Sequence, residues 1–176
     1  MKSAVRILGI DPGLASTGFG IIECGPVSYR YIAHHTVATP SGIEIGKRLE
    51  MIHDGLLQII REYHPNEAGV ESLYFAKNIT SAIPVAQARG VILLTLSMEN
   101  IPAAEYPPQA IKQALVGNGR AEKGQVQELV KMLLQLSAVP TPDHAADALA
   151  AAICHSNTSV IYKRIKQACR GNGDVQ

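Results

Sequence analysis

The chain has 176 residues, 47% of them apolar and only 5% aromatic, with no Trp and a formal net charge of +1. That length suits one domain, and the composition calls for an aliphatic, Ala-rich core. The near-neutral balance excludes nucleic-acid binding by overall charge, so a DNA-binding surface would have to gather its cations on one face.

The first predicted strand is Val5–Ile10, ended by Asp11-Pro12-Gly13, where Pro fixes φ and Gly accepts a positive φ. A second strand fits Thr17–Glu23, with Gly25-Pro26 as the next turn, and a third fits Ser28–Thr36. Three strands with short turns read as an antiparallel meander. Ile45, Leu49, Ile52, Leu56, Ile59 and Ile60 recur at helical spacing, which predicts a helix from Ile43 to Tyr63 with His64-Pro65 as its stop. A short strand follows at Glu67–Glu71, then a helix over Ser81–Met98 with Pro84 in its first turn, and a strand at Ala103–Tyr106. Helices are expected at Pro108–Val116 and Lys123–Leu136, separated by Gly117-Asn118-Gly119, and a last one at His144–Ser156. Strands that alternate with helices after a meander imply a mixed sheet covered by helices on its faces. No repeat or linker interrupts residues 1–157. The remaining 158–176, with Lys163, Arg164, Lys166 and Arg170, read as a basic, flexible tail.

Cys24, Cys154 and Cys169 are scattered and include no Cys-x-x-Cys, which argues against a disulfide framework and a zinc site and for a reducing, cytoplasmic setting. The N-terminal apolar run ends too early for a signal peptide. No apolar segment approaches the ~20 residues of a membrane span.

The chemistry concentrates in four positions. Asp11 ends the first strand, Glu71 ends the fourth, and His144 and Asp147 open the Ala-rich last helix. If the first and fourth strands are parallel neighbours, both carboxylates emerge at one sheet edge, where open α/β sheets bind ligands. His144 and Asp147, at i and i+3, face the same way. Carboxylates crowd together only when a cation neutralises them, and hard oxygen ligands suit Mg²⁺ or Mn²⁺. Such a cluster points to metal-assisted attack on phosphate. Asp143 fits an N-cap. His144 also fits a surface histidine at a helix start. Asp147 interrupts Ala-Ala-Asp-Ala-Leu-Ala-Ala-Ala, where a merely solvated charge would be out of place.

With these residues go Ile7-Leu8-Gly9-Ile10-Asp11-Pro12-Gly13 with Thr17-Gly18-Phe19-Gly20, and Val70-Glu71 followed by Tyr74-Phe75-Ala76-Lys77-Asn78. Further blocks are Gln87-Ala88-Arg89-Gly90, Ile111-Lys112-Gln113, Gly117-Asn118-Gly119, Ala121-Glu122-Lys123 and His144-Ala145-Ala146-Asp147-Ala148-Leu149. In this order, up to about His155, the chain resembles the RuvC Holliday-junction resolvases of the retroviral-integrase and ribonuclease H superfamily. The resemblance implies a ribonuclease H-like fold, a five-stranded mixed sheet of an antiparallel meander plus two parallel strands, flanked by helices on both faces. It places the catalytic metal ligands at Asp11, Glu71, His144 and Asp147. Many members carry Asp at the third of these positions, so Asp143 is an alternative to His144. It further implies two Mg²⁺ ions, replaceable by Mn²⁺, one activating the attacking water and one stabilising the leaving 3′ oxygen. The nicks would carry 5′-phosphate and 3′-hydroxyl ends, as recombination and repair require.

By the same resemblance Lys112 and Lys123 contact DNA phosphate, with Arg120 adding charge between them, and Tyr74 stacks on an unpaired base at the crossover. Each lysine also fits a solvated helix face, and Tyr74 a buried aromatic. Expected partners are four-way junction DNA, a second copy of the chain, and the RuvA–RuvB branch-migration complex, with no membrane. The stripe Ala82, Ala86, Gly90 fits either the homodimer contact or packing on the chain's own sheet. Rival readings are a sugar-kinase-like ATPase, for which 176 residues leave no second lobe, a nuclease for RNA–DNA hybrid, and a DNA-binding module without catalysis. Gly119–Gly124 mimics part of a P-loop, but Gln125-Val126 stands where Lys-Ser/Thr is required.

Overall fold

The computed structural model describes residues 4–25, 28–72 and 79–171, with side chains described up to Ser159 except at positions 79–81. Strands β1 (Val5–Asp11), β2 (Ser16–Cys24) and β3 (Tyr29–Ala38) form the antiparallel meander. Strand β4 (Glu67–Glu71) lies parallel to β1, and β5 (Ala103–Tyr106) parallel to β4. The sheet order is therefore β3-β2-β1-β4-β5, with β1 at its centre.

Alternation along the strands divides the core in two. Leu8, Ile10, Phe19, Ile21, Ala68 and Val70 face helices α1 (Ile45–Tyr63) and α2 (Ile79–Met98), which supply Ile52, Leu56, Ala88, Ile92 and Leu96. Ile7 and Ile22 belong to the other layer, with α3 (Pro108–Val116), α4 (Lys123–Leu133) and α5 (Asp143–Gly171). The second layer owes its thinness to glycine. Gly9 pairs with Gly20 on one side and Gly69 on the other, so three adjacent strands present bare backbone in one row. A Cβ on Gly9 would lie 1.9 Å from the Ala148 carbonyl oxygen of α5, and one on Gly69 would lie 2.8 Å from that of Ala151. The alanines of α5 answer this row: Ala145, Ala146, Ala148 and Ala150 to Ala152 are all buried. Helix and sheet thus approach backbone to backbone, and a larger residue in either row would push them apart.

Most expected elements stand within one or two residues of where the pattern placed them, and three differences bear on the reading. Helix α2 begins at Ile79, so Pro84 falls in its second turn rather than its first. Helix α4 ends at Leu133, not Leu136, because Gln135 adopts the left-handed conformation at φ 53°. Helix α5 continues to Gly171 beyond Ser156. The polar run that resembles a stop instead bonds back along the helix, Thr158 Oγ1 donating to the Cys154 carbonyl at 2.9 Å. Among the described residues, no helix is long and apolar enough to cross a membrane.

Candidate active site

Parallel pairing of β1 with β4 runs in register from Ile7–Glu67 to Ile10–Val70, so the next residues, Asp11 and Glu71, leave the sheet side by side. Both follow a glycine by two positions and therefore point to the α5 face. Asp11 also pairs with Gly18 of β2, whose missing Cβ leaves room for the His144 carbonyl; a methyl there would be 1.9 Å away. The glycines that seat α5 thus also bring its first turn onto the two carboxylates.

His144 Nδ1 donates to Asp11 Oδ2 at 2.6 Å. Glu71 shares a hydrogen bond with Asp11 and senses the charge of Asp147. Lys123, at the start of α4, places Nζ 3.2 Å from Asp147 Oδ2 and 3.1 Å from Asp143 Oδ2. Helix α4 is fixed at this end by a capping box, in which Glu122 and Gln125 bond reciprocally across its first turn. A cleft beside these groups is walled by Glu71, Asp147, Lys112, Lys123, Ile111 and Val126.

The electrostatics are those of an under-neutralised acid cluster. Burial, then the charges of Asp11 and Asp147, push the Glu71 carboxyl up to about 8, with Lys123 pulling the other way. Burial likewise raises Asp147, against the pull of Lys123. The hydrogen bond to Asp11 raises His144, against burial. Burial opposes charge on Lys123, but its bonds to Asp143 and Asp147 outweigh it and hold the ammonium above its ordinary value. A carboxyl that keeps its proton to about pH 8 is one that lacks a counter-cation.

The structure brings together Asp11, Glu71, His144 and Asp147, with Lys112 and Lys123 in the cleft beside them. Arg120 is exposed on the loop before α4 and is not among the cleft-lining residues. Tyr74 lies outside the described residues. Asp143 is not the N-cap expected for it. It is the first residue of α5, and its carboxylate turns to α4, accepting from Lys123 and, at 3.1 Å, from Gln127. His144, not Asp143, is the residue in contact with Asp11.

Two polar contacts escape sequence reading. Gln127 lies one turn beyond Lys123 on the same face of α4, a spacing that was visible but had no known target. Gln113 clamps the glycine loop, its Nε2 donating to the Gly117 carbonyl and its Oε1 accepting from the Gly119 amide, both at 3.0 Å.

The donor set fits a hard divalent cation. It offers two carboxylates from the sheet edge and a third carboxylate and an imidazole from the start of α5, with protons retained for want of positive charge. Among the described residues, no three His, Cys, Asp or Glu side chains already stand as a ligand shell. The side chains instead satisfy one another, His144 on Asp11 and Lys123 on Asp147.

Comparison with known proteins gives one consistent family. The profile of the family described as crossover junction endodeoxyribonuclease RuvC matches residues 7–155. The chain is 54% identical over 149 residues to the crossover junction endodeoxyribonuclease RuvC of Treponema pallidum, covering 85% of this chain and 76% of that one. It is 52% identical over 157 residues to that of Petrotoga mobilis, covering 89% and 96%. A solved structure, Thermus thermophilus RuvC in complex with Holliday junction substrate, superposes with a TM-score of 0.85 at 31% identity, covering 89% of this chain and 96% of that one. The mixed sheet and its flanking helices are those of the ribonuclease H-like fold. The chain belongs to the RuvC family of crossover junction endodeoxyribonucleases.

Proposed function

We propose that this chain is a structure-selective endonuclease that resolves four-way DNA junctions by paired, symmetric phosphodiester hydrolysis in recombination and repair. The observation that carries the reading is the convergence of Asp11, Glu71 and Asp147 from three separate elements with His144, beside two lysines. Family membership adds the substrate class, since the relatives are named for crossover junctions.

Asp11, Glu71, His144 and Asp147 would hold two divalent ions, Mg²⁺ with Mn²⁺ as a substitute. When bound, the ions supply an activated water and charge stabilisation for the leaving oxygen. Asp11, on the central strand and in contact with both Glu71 and His144, would be a ligand common to the ions. Glu71 and His144 would surrender their protons for this, while the sheet edge and the α5 packed on it keep the four donors in place. Lys112 and Lys123 hold the scissile strand by its phosphates, Arg120 extends that contact, and Tyr74 stacks on an unpaired base.

A junction is two-fold symmetric, so the active unit is a homodimer. Ile83, Leu94 and Met98 of α2 are 55%, 60% and 64% exposed, and they share one helical stripe with Gly90, which has open space beside it. This face suits a second copy. A branch-migration complex of the RuvA–RuvB type is the expected further partner.

The test is cleavage of a synthetic four-way junction with a mobile core, against linear duplex and RNA–DNA hybrid, in Mg²⁺ or EDTA. Paired nicks on the junction alone, and only with Mg²⁺, are expected. Preferential cutting of hybrid would keep the site and replace the substrate.

A further inference from the structure

Lys123 stands between two carboxylates with different surroundings. Asp147 lines the cleft with Glu71 and is mostly buried, whereas the Asp143 side chain is 66% exposed and also engaged by Gln127 of α4. The ammonium reaches Oδ2 of each, at 3.2 and 3.1 Å. A divalent cation on Asp147 would repel an ammonium bonded to the same carboxylate, so the two occupants exclude each other. Asp143 remains as an anchor, because its carboxylate belongs to the α4 side of the helix start. The displaced ammonium, with three donors to place, then lies at a cleft whose other cation is Lys112.

On the reading of this cleft as a phosphodiester site, we infer that Lys123 is an exchangeable counterion. Without a divalent cation it neutralises Asp147; when a cation takes Asp147, the lysine passes to a phosphate oxygen of the bound strand, held in reach by Asp143. Asp143 is then a positioning residue, and cation and DNA binding strengthen each other through one side chain. By linkage, the gain in DNA affinity from the cation equals the gain in cation affinity from DNA.

The experiment measures junction affinity of the full chain from low to moderate NaCl, in EDTA and in Ca²⁺, with strand integrity checked on a denaturing gel. The wild type should show a log–log salt slope steeper by about one in Ca²⁺, the signature of one added phosphate contact. Lys123→Met should show the same slope in both. Asp143→Asn removes a negative charge near DNA and would, by charge alone, tighten binding in any background. The exchange instead demands several-fold weaker binding in Ca²⁺ when Lys123 is present, and no weakening in the Lys123→Met background. Equal wild-type slopes in EDTA and Ca²⁺, or tightening by Asp143→Asn in both backgrounds, overturns the exchange. If Lys123→Met binds like the wild type throughout, the lysine touches no phosphate and its assignment as a DNA contact falls as well. If it weakens binding equally in EDTA and Ca²⁺, the contact stands and only the exchange falls. Thermal unfolding of each variant shows whether it is folded before its affinity is read.

Discussion

Replacing Glu71 with Gln is expected to destroy cleavage and, in chelator, to stabilise the protein. The native Glu71 carboxyl holds its proton up to about pH 8, because it is buried and faces Asp11 and Asp147, whereas the unfolded carboxyl releases it near 4.5. Between these values the native state binds the extra proton, so this group's contribution is fully present below 4.5 and drains away as pH rises to about 8. At ~1.4 kcal/mol per pH unit, the wild type should lose about 2–3 kcal/mol relative to Glu71→Gln between pH 6 and pH 8. On a chain of this size that is roughly 5–10 °C in Tm. Glutamine keeps the shape and a hydrogen bond to Asp11 without an ionisation to suppress.

The assay is thermal unfolding in EDTA at pH 6, 7, 8 and 9 for both proteins. The gap should open with pH and shrink when Mg²⁺ is added, since the cation stabilises only the form that keeps its ligands. Parallel pH curves for the two proteins, or a variant less stable than wild type at every pH, would refute the claim that the acid cluster is under-neutralised.

Asp11→Asn should abolish cleavage while junction affinity in a mobility-shift assay changes little, because binding rests on lysine contacts. Gly18→Ala would put a methyl 1.9 Å from the His144 carbonyl oxygen; the first turn of α5 must shift, and cleavage should drop on the order of 10²-fold even where the protein remains folded. Leu94→Glu places a charge on the exposed stripe of α2 and should give a monomer in sedimentation and single, unpaired nicks. His144 keeps its proton above the ordinary value because Asp11 accepts from it, with burial opposing; calorimetric Mn²⁺ affinity should therefore fall from pH 8 to pH 6, and less steeply in His144→Asp.

Local pattern is enough to place β4, β5 and α3 at their observed bounds and to end β1 and β4 on carboxylates, whereas bringing those carboxylates to one edge takes the parallel pairing of β1 with β4. The misjudged features depend on partners distant in sequence. Asp143 has every local property of an N-cap after Pro142, yet Lys123 and Gln127 of α4 draw its carboxylate away. Lys123 reads as a DNA-phosphate contact or a solvated cation, and its ion pairs with Asp143 and Asp147 emerge only when α4 and α5 are brought together. The length of α5 is hidden by Asn157, Thr158 and Ser159, residue types that compete with a helix; here Thr158 and Ser159 bond back along it and Asn157 accepts from the Tyr29 hydroxyl of β3.

The glycine row shows how fold and site are coupled. Gly9, Gly20 and Gly69 give the sheet no side-chain layer beneath α5, and a helix with alanines at the facing positions can use that space only by lying against backbone. This approach leaves no freedom for α5 to slide, since its carbonyls at His144 and Ala148 sit where the missing Cβ atoms of Gly18 and Gly9 would be. His144 and Asp147 are consequently fixed to the strands that carry Asp11 and Glu71 by packing rather than by their own attractions. Three carboxylates that disfavour one another's charge could not hold such a cluster together unaided, as the raised Glu71 and Asp147 attest, and the His144 bond to Asp11 offsets only part of that repulsion. The alternation of small residues along β1, β2, β4 and α5 is therefore as much a part of the candidate site as the acids it confines.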